Sequence, residues 1–168
     1  MKLNDCRDCI LGTLELNKKK LHGSGMYGGI MFVGTNPSYR SSKEIVWKDP
    51  FGKYFSGQLF AAGINPDKIY FTNIVKCATP KNEPVSEESV LACKKYLAAE
   101  IEEVKPKIII AMGAQAGKWF ETKIKEEGLY NDIPVYAIYH PSYIENHASE
   151  ETREWQTELL KKLWEEAK

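Results

Sequence analysis

Four short apolar runs, separated by longer segments with helical spacing, constrain the fold of this chain most strongly. They read GIMFVG, KIYFTNIV, KIIIAMG and PVYAIYH, and they begin at residues 29, 68, 107 and 134. Short apolar runs rich in β-branched and aromatic residues favour strands. Strands that alternate with helices predict a parallel sheet covered on both faces. The sequence therefore predicts an α/β fold, a three-layer α/β/α sandwich around a central, mainly parallel four-stranded sheet.

Three helices are predicted around these strands. The first begins after Ser86 and ends at Pro106. The Ser86 hydroxyl suits an N-cap, and two glutamates follow it in the first turn, where negative charge is favourable. The second spans 114–127 and leaves the third strand, and the third spans 149–168 at the C-terminus. A length of 168 residues, with no internal repeat or linker, predicts a single domain over 1–168.

The charge balance gives no direct sign of a partner. Lys and Arg together number 23, as do Asp and Glu, so the net charge is zero. Nucleic-acid binding would therefore have to rest on local patches of Lys and Arg. No stretch approaches the ~20 apolar residues that a membrane-spanning helix needs, and the charged N-terminus does not resemble a secretory signal. We expect a soluble, cytoplasmic monomer with no membrane partner.

Polar residues follow each predicted strand. Ligands of parallel α/β sheets bind at the carboxyl ends of the strands. The sequence therefore predicts a site built from four such stretches, which read GTNPS, TNIVKC, MGAQAG and HPSY.

The chain has four cysteines, Cys6, Cys9, Cys77 and Cys93. The first two form a C-x2-C pair in a charged N-terminal segment, 1–22, which is a poor core position. Clustered cysteines in an intracellular protein more often bind metal than form disulfides. Four thiolates can hold tetrahedral zinc or an iron–sulfur cluster, and the spacing leaves both open. The alternative is that they are four unrelated, buried cysteines.

An ordered set of motifs resembles the family 4 uracil-DNA glycosylases, the iron–sulfur members of their superfamily. The set consists of C-x2-C, VGTNPS, GKYFSGQLF, TN-x2-KC leading into C-x15-C, PKIIIAMGAQAGKWF and YHPSY. It covers most of the chain, from Cys6 to about Tyr143. The resemblance implies a [4Fe–4S] cluster on the four cysteines. It also implies a structural role for that cluster, which would join the N-terminal segment to the loop after the second strand.

The same resemblance implies the residues that recognise and release the base. Asn73 corresponds to the family's uracil reader, and a side-chain amide matches uracil's O4 acceptor and N3–H donor. His140 would donate to the uracil O2 as negative charge develops there. Phe55 is the stacking candidate, although GKYFSGQLF is shorter than the family's segment and Tyr54 is therefore a rival. The alternative for Phe55 is an ordinary core aromatic.

The GTNPS stretch departs from the family 4 pattern. Thr35 and Asn36 stand where family 4 members carry an acidic and then a small apolar residue. GTNPS instead resembles the GxNP motif of the mismatch-specific thymine/uracil glycosylases, which implies that Asn36 positions the attacking water. Gly34 would allow close approach of the backbone to the base. Backbone N–H groups near Thr35 would also contact the base. The alternative for Asn-Pro is a plain turn.

Contacts with the DNA are expected around the first and last motifs. Ser142 and Tyr143 follow His140, and we expect Ser142 to contact the substrate's phosphate and Tyr143 to insert into the duplex as a wedge. Arg40 is expected to contact a phosphate of the DNA backbone. Weaker candidates for backbone contacts are Lys76, Lys81 and Lys118.

Together these features predict a monofunctional DNA repair glycosylase that hydrolyses the N-glycosidic bond of uracil, or of other deaminated bases, in DNA. The base is flipped out and an abasic site remains. No lysine occupies a motif position from which it would form a Schiff base. Two alternatives stay open: a non-catalytic nucleic-acid or nucleotide binder of the same fold, which Thr35 and Glu145 motivate, and an electron-transfer iron–sulfur protein.

Overall fold

The computed structural model describes residues 3–39 and 50–168, and its centre is a six-stranded sheet. The strand order is β1-β3-β2-β4-β6-β5. The strands are β1 (Ser24–Gly25), β2 (Ile30–Gly34), β3 (Ile69–Asn73), β4 (Ile108–Met112), β5 (Glu127–Tyr130) and β6 (Ile133–Ile138).

The four predicted strands are the central ones, and they are mutually parallel. In register, Ile30 of β2 lies between Ile69 of β3 and Ile108 of β4. On the other side of β4, Ile109 pairs with Val135 of β6. All residues of β2, β3 and β4 are buried, as expected for parallel strands covered on both faces.

Two antiparallel edge strands were not predicted. β1 has only two residues and pairs with β3 inside a glycine-rich stretch. β5 pairs with β6, and its side chains alternate between exposed and half-buried. Short, partly exposed strands carry little apolar signal, so the pairing partner decides them more than the local sequence.

Helices cover both faces of the sheet and pack there on two apolar cores. One core joins Leu97, Ile101 and Ala116 to one face of the strands, and the other joins Leu59 and Leu163 to the opposite face. This arrangement confirms the three-layer prediction. The helices are α1 (Ile10–Thr13), α2 (Pro50–Ala61), α3 (Glu87–Val104), α4 (Ala114–Trp119), α5 (Pro141–Asn146) and α6 (Glu150–Ala167). Among the described residues, none of these helices combines the length and apolarity needed to cross a bilayer.

The predicted starts of α3 and α6 are confirmed. The Ser86 hydroxyl accepts from the backbone N–H of Ser89, and the Ser149 hydroxyl accepts from that of Thr152. α3 ends at Val104, where Lys105 takes a left-handed conformation just before Pro106. The two serine N-caps and the left-handed C-cap follow the ordinary rules for helix ends.

The helix predicted over 114–127 is wrong in its length. α4 ends at Trp119, and the chain folds back because the Thr122 N–H donates to Gly117 O at 2.9 Å. A Cβ at Gly117 would lie 2.5 Å from Thr122 O, so this reversal requires glycine. Helices α2 and α5 were not predicted from the sequence.

A buried amide attaches the N-terminal segment to the body of the protein. Asn17 is 2% exposed, and its Nδ2 donates to Leu11 O at 3.0 Å and to Ala78 O at 2.8 Å. Its Oδ1 accepts from Ala78 N at 2.9 Å. Asn17 therefore completes the backbone hydrogen bonding of the residue that follows Cys77.

Replacing Asn17 with alanine is expected to lower the free energy of unfolding by about 3 kcal/mol, because three buried backbone groups lose a partner. Urea denaturation of the purified protein measures the change. Asn65→Ala is the control. It removes one exposed cap that accepts from Asp67 N, and should cost about 1 kcal/mol. Equal effects of the two substitutions would contradict the role assigned to Asn17.

Candidate functional site

A cavity of about 210 Å³ lies at the carboxyl ends of β2, β3 and β6. It is smaller than the roughly 300–1,000 Å³ of sites that hold drug-sized ligands, and so suits a group the size of one base. Five of the predicted site residues line it together: Gly34, Thr35, Asn36, Asn73 and His140. The remaining lining residues are Leu21, His22, Ser24, Pro37, Ser38, Phe71, Thr72, Thr79 and Asn82.

The pairing of β2 with β3 places Gly34 directly beside Asn73. A Cβ at position 34 would lie 2.6 Å from Asn73 Oδ1. The absence of a side chain at Gly34 therefore gives the Asn73 amide its place at the cavity wall. Asn73 is 9% exposed, so most of what it contacts is protein and the rest is the cavity.

The loop after β2 is fixed by backbone bonds to the loop after β3. Ile74 N donates to Gly34 O and Val75 N donates to Thr35 O, both at 2.9 Å. Asn36 is half-buried, and its Nδ2 donates to Pro37 O at 3.1 Å. The side chain of Asn36 thus lies in an ordered turn that borders the cavity.

Asn82 also lines the cavity, and sequence reasoning missed it. Its Oδ1 accepts from the backbone N–H of Tyr39 at 2.7 Å, which joins the first loop to the short 3₁₀ turn Pro80–Asn82. Lys81 and Asn82 both have positive φ, of 50° and 58°. Consecutive non-glycine residues in this region cost energy and tend to occur at functional sites, but no sequence pattern reveals them.

His140 begins the HPSY stretch after β6 and caps α5. Its Nδ1 accepts from the backbone N–H of Ser142 at 3.2 Å and lies 2.7 Å from Ser142 Oγ. Because Nδ1 acts as an acceptor, the neutral imidazole carries its proton on Nε2. Burial lowers the pKa of His140 below its usual value. The ring is therefore neutral at pH 7 and has one N–H to donate.

The predicted stacking residue lies in the core. Phe55 is 1% exposed, and its ring packs on Phe32 and Phe71 with centroid separations of 5.1 and 5.7 Å. Its rival Tyr54 is half-buried in the same helix and does not line the cavity. Helix α2 directs the Phe55 ring into the core. No local sequence pattern indicates this orientation. In the described part of the chain, Phe71 of β3 is the aromatic residue that lines the cavity.

A family model for the uracil DNA glycosylase superfamily matches residues 27–165. The chain belongs to this superfamily. The matched residues include β2, most of α6 and the cavity-lining loops after β2, β3 and β6.

Curated relatives agree with this membership. The chain is 31% identical over 162 residues to the type-4 uracil-DNA glycosylase of Thermotoga maritima, covering 88% of this chain and 83% of that protein. It is 30% identical over 158 residues to the type-4 enzyme of Sulfurisphaera tokodaii, covering 82% and 70%. A DNA polymerase of Bacillus phage SP01 is 36% identical over 147 residues, which are 80% of this chain and 16% of the polymerase.

Three of the four cysteines of this superfamily member are buried: Cys9, Cys77 and Cys93. Burial, together with the nearby thiols of Cys93, Cys9 and Cys6, raises the pKa of Cys77 to about 12. The four cysteines therefore share one neighbourhood. No three His, Cys, Asp or Glu side chains within 3–39 and 50–168 form a ready metal-ligating group. By donor chemistry alone, four thiols fit a metal–thiolate group, because a metal ion replaces their protons.

Of the residues expected to contact DNA, Tyr143 is exposed and Ser142 is bonded to His140. Tyr143 is 41% exposed on α5, and its ring stacks on Tyr139 with centroids 4.8 Å apart. Ser142 contacts His140 and does not line the cavity. Arg40 lies outside the described residues.

The three lysines considered for phosphate contacts also differ. The Lys76 side chain is only 2% exposed and pairs with Glu100, so a contact with phosphate is excluded. Lys118 is exposed and lies 3.7 Å from Glu87. Lys81 is exposed in the turn beside the cavity.

The lowered pKa of His140 makes stability depend on pH. The unfolded chain binds a proton at His140 near pH 6.5, whereas the folded chain binds it at lower pH. The stabilising contribution is complete above the unfolded value and is lost as pH falls through the folded pKa. Urea denaturation between pH 8 and 5 is expected to show a smaller acid-side loss for His140→Gln than for the unsubstituted chain. Identical pH profiles would contradict a buried, neutral imidazole.

Proposed function

We propose that this chain is a monofunctional uracil-DNA glycosylase that hydrolyses the N-glycosidic bond of uracil in DNA. The observation that carries the proposal is one base-sized cavity lined by an amide at Asn73, an amide at Asn36 and a neutral imidazole at His140, at the carboxyl ends of β3, β2 and β6. The substrate is DNA, because the chain belongs to this superfamily and its type-4 relatives are uracil-DNA glycosylases.

Asn73 recognises the flipped base. Its carboxamide offers one donor and one acceptor, which match uracil's O4 and N3–H and reject the reversed pattern of cytosine. The tight packing of Asn73 against Gly34 holds the amide at a fixed position. Phe71 supplies an apolar, aromatic surface on the same wall.

His140 stabilises the departing base. As the glycosidic bond breaks, negative charge develops on uracil O2, and a donor already in position lowers the barrier. The Ser142 N–H on Nδ1 leaves Nε2 as the protonated nitrogen, so the imidazole acts as a neutral hydrogen-bond donor. Burial lowers the pKa of His140, so the ring that donates through Nε2 is neutral at pH 7.

Asn36 orients the water that attacks the sugar. A carboxamide accepts a hydrogen bond from water but cannot remove its proton, so bond cleavage runs ahead of attack and the sugar becomes oxocarbenium-like. The bond from Asn36 Nδ2 to Pro37 O fixes the side chain for this purpose. No lysine is among the described residues that line the cavity, which supports hydrolysis by water over a Schiff-base route.

Tyr143 enters the duplex where the base has left. It is an exposed aromatic residue three positions after His140, at the start of α5. Aromatic wedges of this kind fill the gap in the base stack. Arg40, which follows the GTNPS stretch in sequence, remains the proposed phosphate contact.

Cys6, Cys9, Cys77 and Cys93 are proposed to hold a [4Fe–4S] cluster, with zinc as the alternative. When bound, such a cluster supplies a covalent cross-link between the N-terminal segment and the loop after β3. The buried Lys20 ammonium donates to Asn4 O, Gly12 O and Asn17 O. Its charge partly offsets the rise in the pKa of Cys77 that burial causes. A positive charge there favours thiolate ligands. The cysteines take no part in the cleavage step.

Cleavage of oligonucleotides that contain a single uracil tests the function. The unsubstituted chain is expected to produce abasic sites on single- or double-stranded substrates. Asn36→Ala, Asn73→Ala and His140→Gln should each lower kcat/KM by about 10²-fold or more, because each removes a group that acts in the transition state. Gln115→Ala, a substitution in α4 away from the cavity lining, is the control.

A panel of other deaminated bases tests how Thr35 and Asn36 set the substrate range. Tight binding of uracil-containing DNA with no abasic product on any substrate would overturn the enzyme proposal in favour of a non-catalytic binder.

Metal content tests the cysteine site. The protein purified without oxygen is expected to be brown and to contain about four iron and four sulfide per chain. Cys77→Ser and Cys93→Ser should lose the colour, whereas Ser89→Ala, one turn before Cys93 on α3, should retain it. A colourless protein with one zinc per chain would establish the alternative, and a protein with neither metal would contradict both.

A further inference from the structure

A buried ion pair lies directly behind the wall that carries Asn73. The Lys76 and Glu100 side chains are 2% and 10% exposed, and Lys76 Nζ lies 2.5 Å from Glu100 Oε2. Lys76 follows β3 and Glu100 lies on α3. Neither residue lines the cavity.

Lys76 bonds to the two strand-end residues that line the cavity. Its ammonium donates to Thr72 Oγ1 at 2.6 Å and to the backbone carbonyl of Asn73 at 2.8 Å. Asn73 is the last residue of β3, where the regular ladder ends. Lys76 therefore supplies a hydrogen-bond donor to the Asn73 carbonyl, which is buried at the strand end.

Glu100 completes the network from the helix. Its Oε2 accepts from the Thr72 hydroxyl at 2.6 Å, and its Oε1 accepts from the Tyr70 hydroxyl at 3.0 Å and from Gly23 N at 2.7 Å. Four donors on one carboxyl group describe a carboxylate. Burial alone would raise the pKa of Glu100, but Lys76 and the other donors lower it.

Gly23 brings the N-terminal side of the cavity, which lies next to β3, into the same network. A Cβ at this position would lie 2.4 Å from Tyr70 Cε1 and 2.5 Å from Glu100 Oε1, so only glycine permits the bond. The neighbouring residues Leu21, His22 and Ser24 line the cavity. One carboxylate thus holds the N-terminal wall and the β3 wall at a fixed separation.

We propose that Lys76 and Glu100 are positioning residues for base recognition, which set the place of Asn73 and the width of the cavity without touching the base. The inference rests on the proposed glycosylase function. Burying an ion pair contributes little net stability, because desolvation offsets most of the attraction. Its value here lies in geometry, since a charged pair with six defined contacts tolerates fewer arrangements than apolar packing.

The test is a double-mutant cycle on single-turnover uracil cleavage with enzyme in excess. Glu100→Gln is expected to lower the cleavage rate and the affinity for free uracil by about tenfold or more, with binding of uracil-free DNA unchanged. In an Asn73→Ala background, Glu100→Gln should have little further effect, within about twofold, because it acts through Asn73.

Glu103→Gln is the matched control. Glu103 lies one turn further along α3 and also accepts from a tyrosine hydroxyl, that of Tyr27 at 2.7 Å, but away from the cavity. This substitution is expected to leave cleavage within about twofold of the unsubstituted chain. If Glu100→Gln fails to fold, the same double-mutant cycle is run with Tyr70→Phe. This substitution removes a single hydroxyl from the network, so a smaller effect is expected.

The outcomes separate the two proposals. If the unsubstituted chain cleaves but the effects of Glu100→Gln and Asn73→Ala multiply independently, the positioning role is wrong and the glycosylase function stands. An unchanged affinity for free uracil in Glu100→Gln would also overturn the positioning role. If the unsubstituted chain does not cleave uracil, both proposals fail.

Discussion

The parallel pairing of β2 with β3 is the constraint on which the rest of the site depends. It places Gly34 opposite Asn73, and the backbone bonds continue past both strand ends to Thr35 and Val75. Two loops with no regular structure of their own are thereby held side by side. The amides of Asn36 and Asn73 owe their proximity to this pairing, because backbone hydrogen bonds position them more firmly than side-chain packing alone would.

The N-terminal segment is part of the same construction. Asn17 bonds to the backbone of Ala78, Lys20 is buried among the segment's own carbonyls, and Gly23 reaches Glu100. Each of these contacts buries a polar group, which is tolerated only when its partners are complete. The segment thus has few alternative ways to pack, and it forms one side of the cavity as a result.

Much of this arrangement could be predicted from the sequence, for a physical reason. Fully buried parallel strands need continuous apolar runs, and their carboxyl ends must carry the polar groups, so Gly34, Thr35, Asn36, Asn73 and His140 could be identified together. The strand β1 and the inward turn of Phe55 depend on contacts between segments far apart in sequence. The same holds for Asn82, whose bond to Tyr39 spans two loops. The strand β5 and the end of α4 rest on local backbone pairing that an apolar pattern does not reveal. The burial of Lys76 was hidden because its partner, Glu100, lies 24 positions away.

The stacking of Tyr143 on Tyr139 bears on the wedge role proposed for Tyr143. The two rings are nearly parallel, with an interplanar angle of 16°, and Tyr139 is itself held by Gln156, which bonds to both its N–H and its carbonyl. A side chain already confined to one orientation loses little further rotational freedom when it meets a partner. In the proposed complex with DNA, the entropic cost of ordering this ring is therefore low.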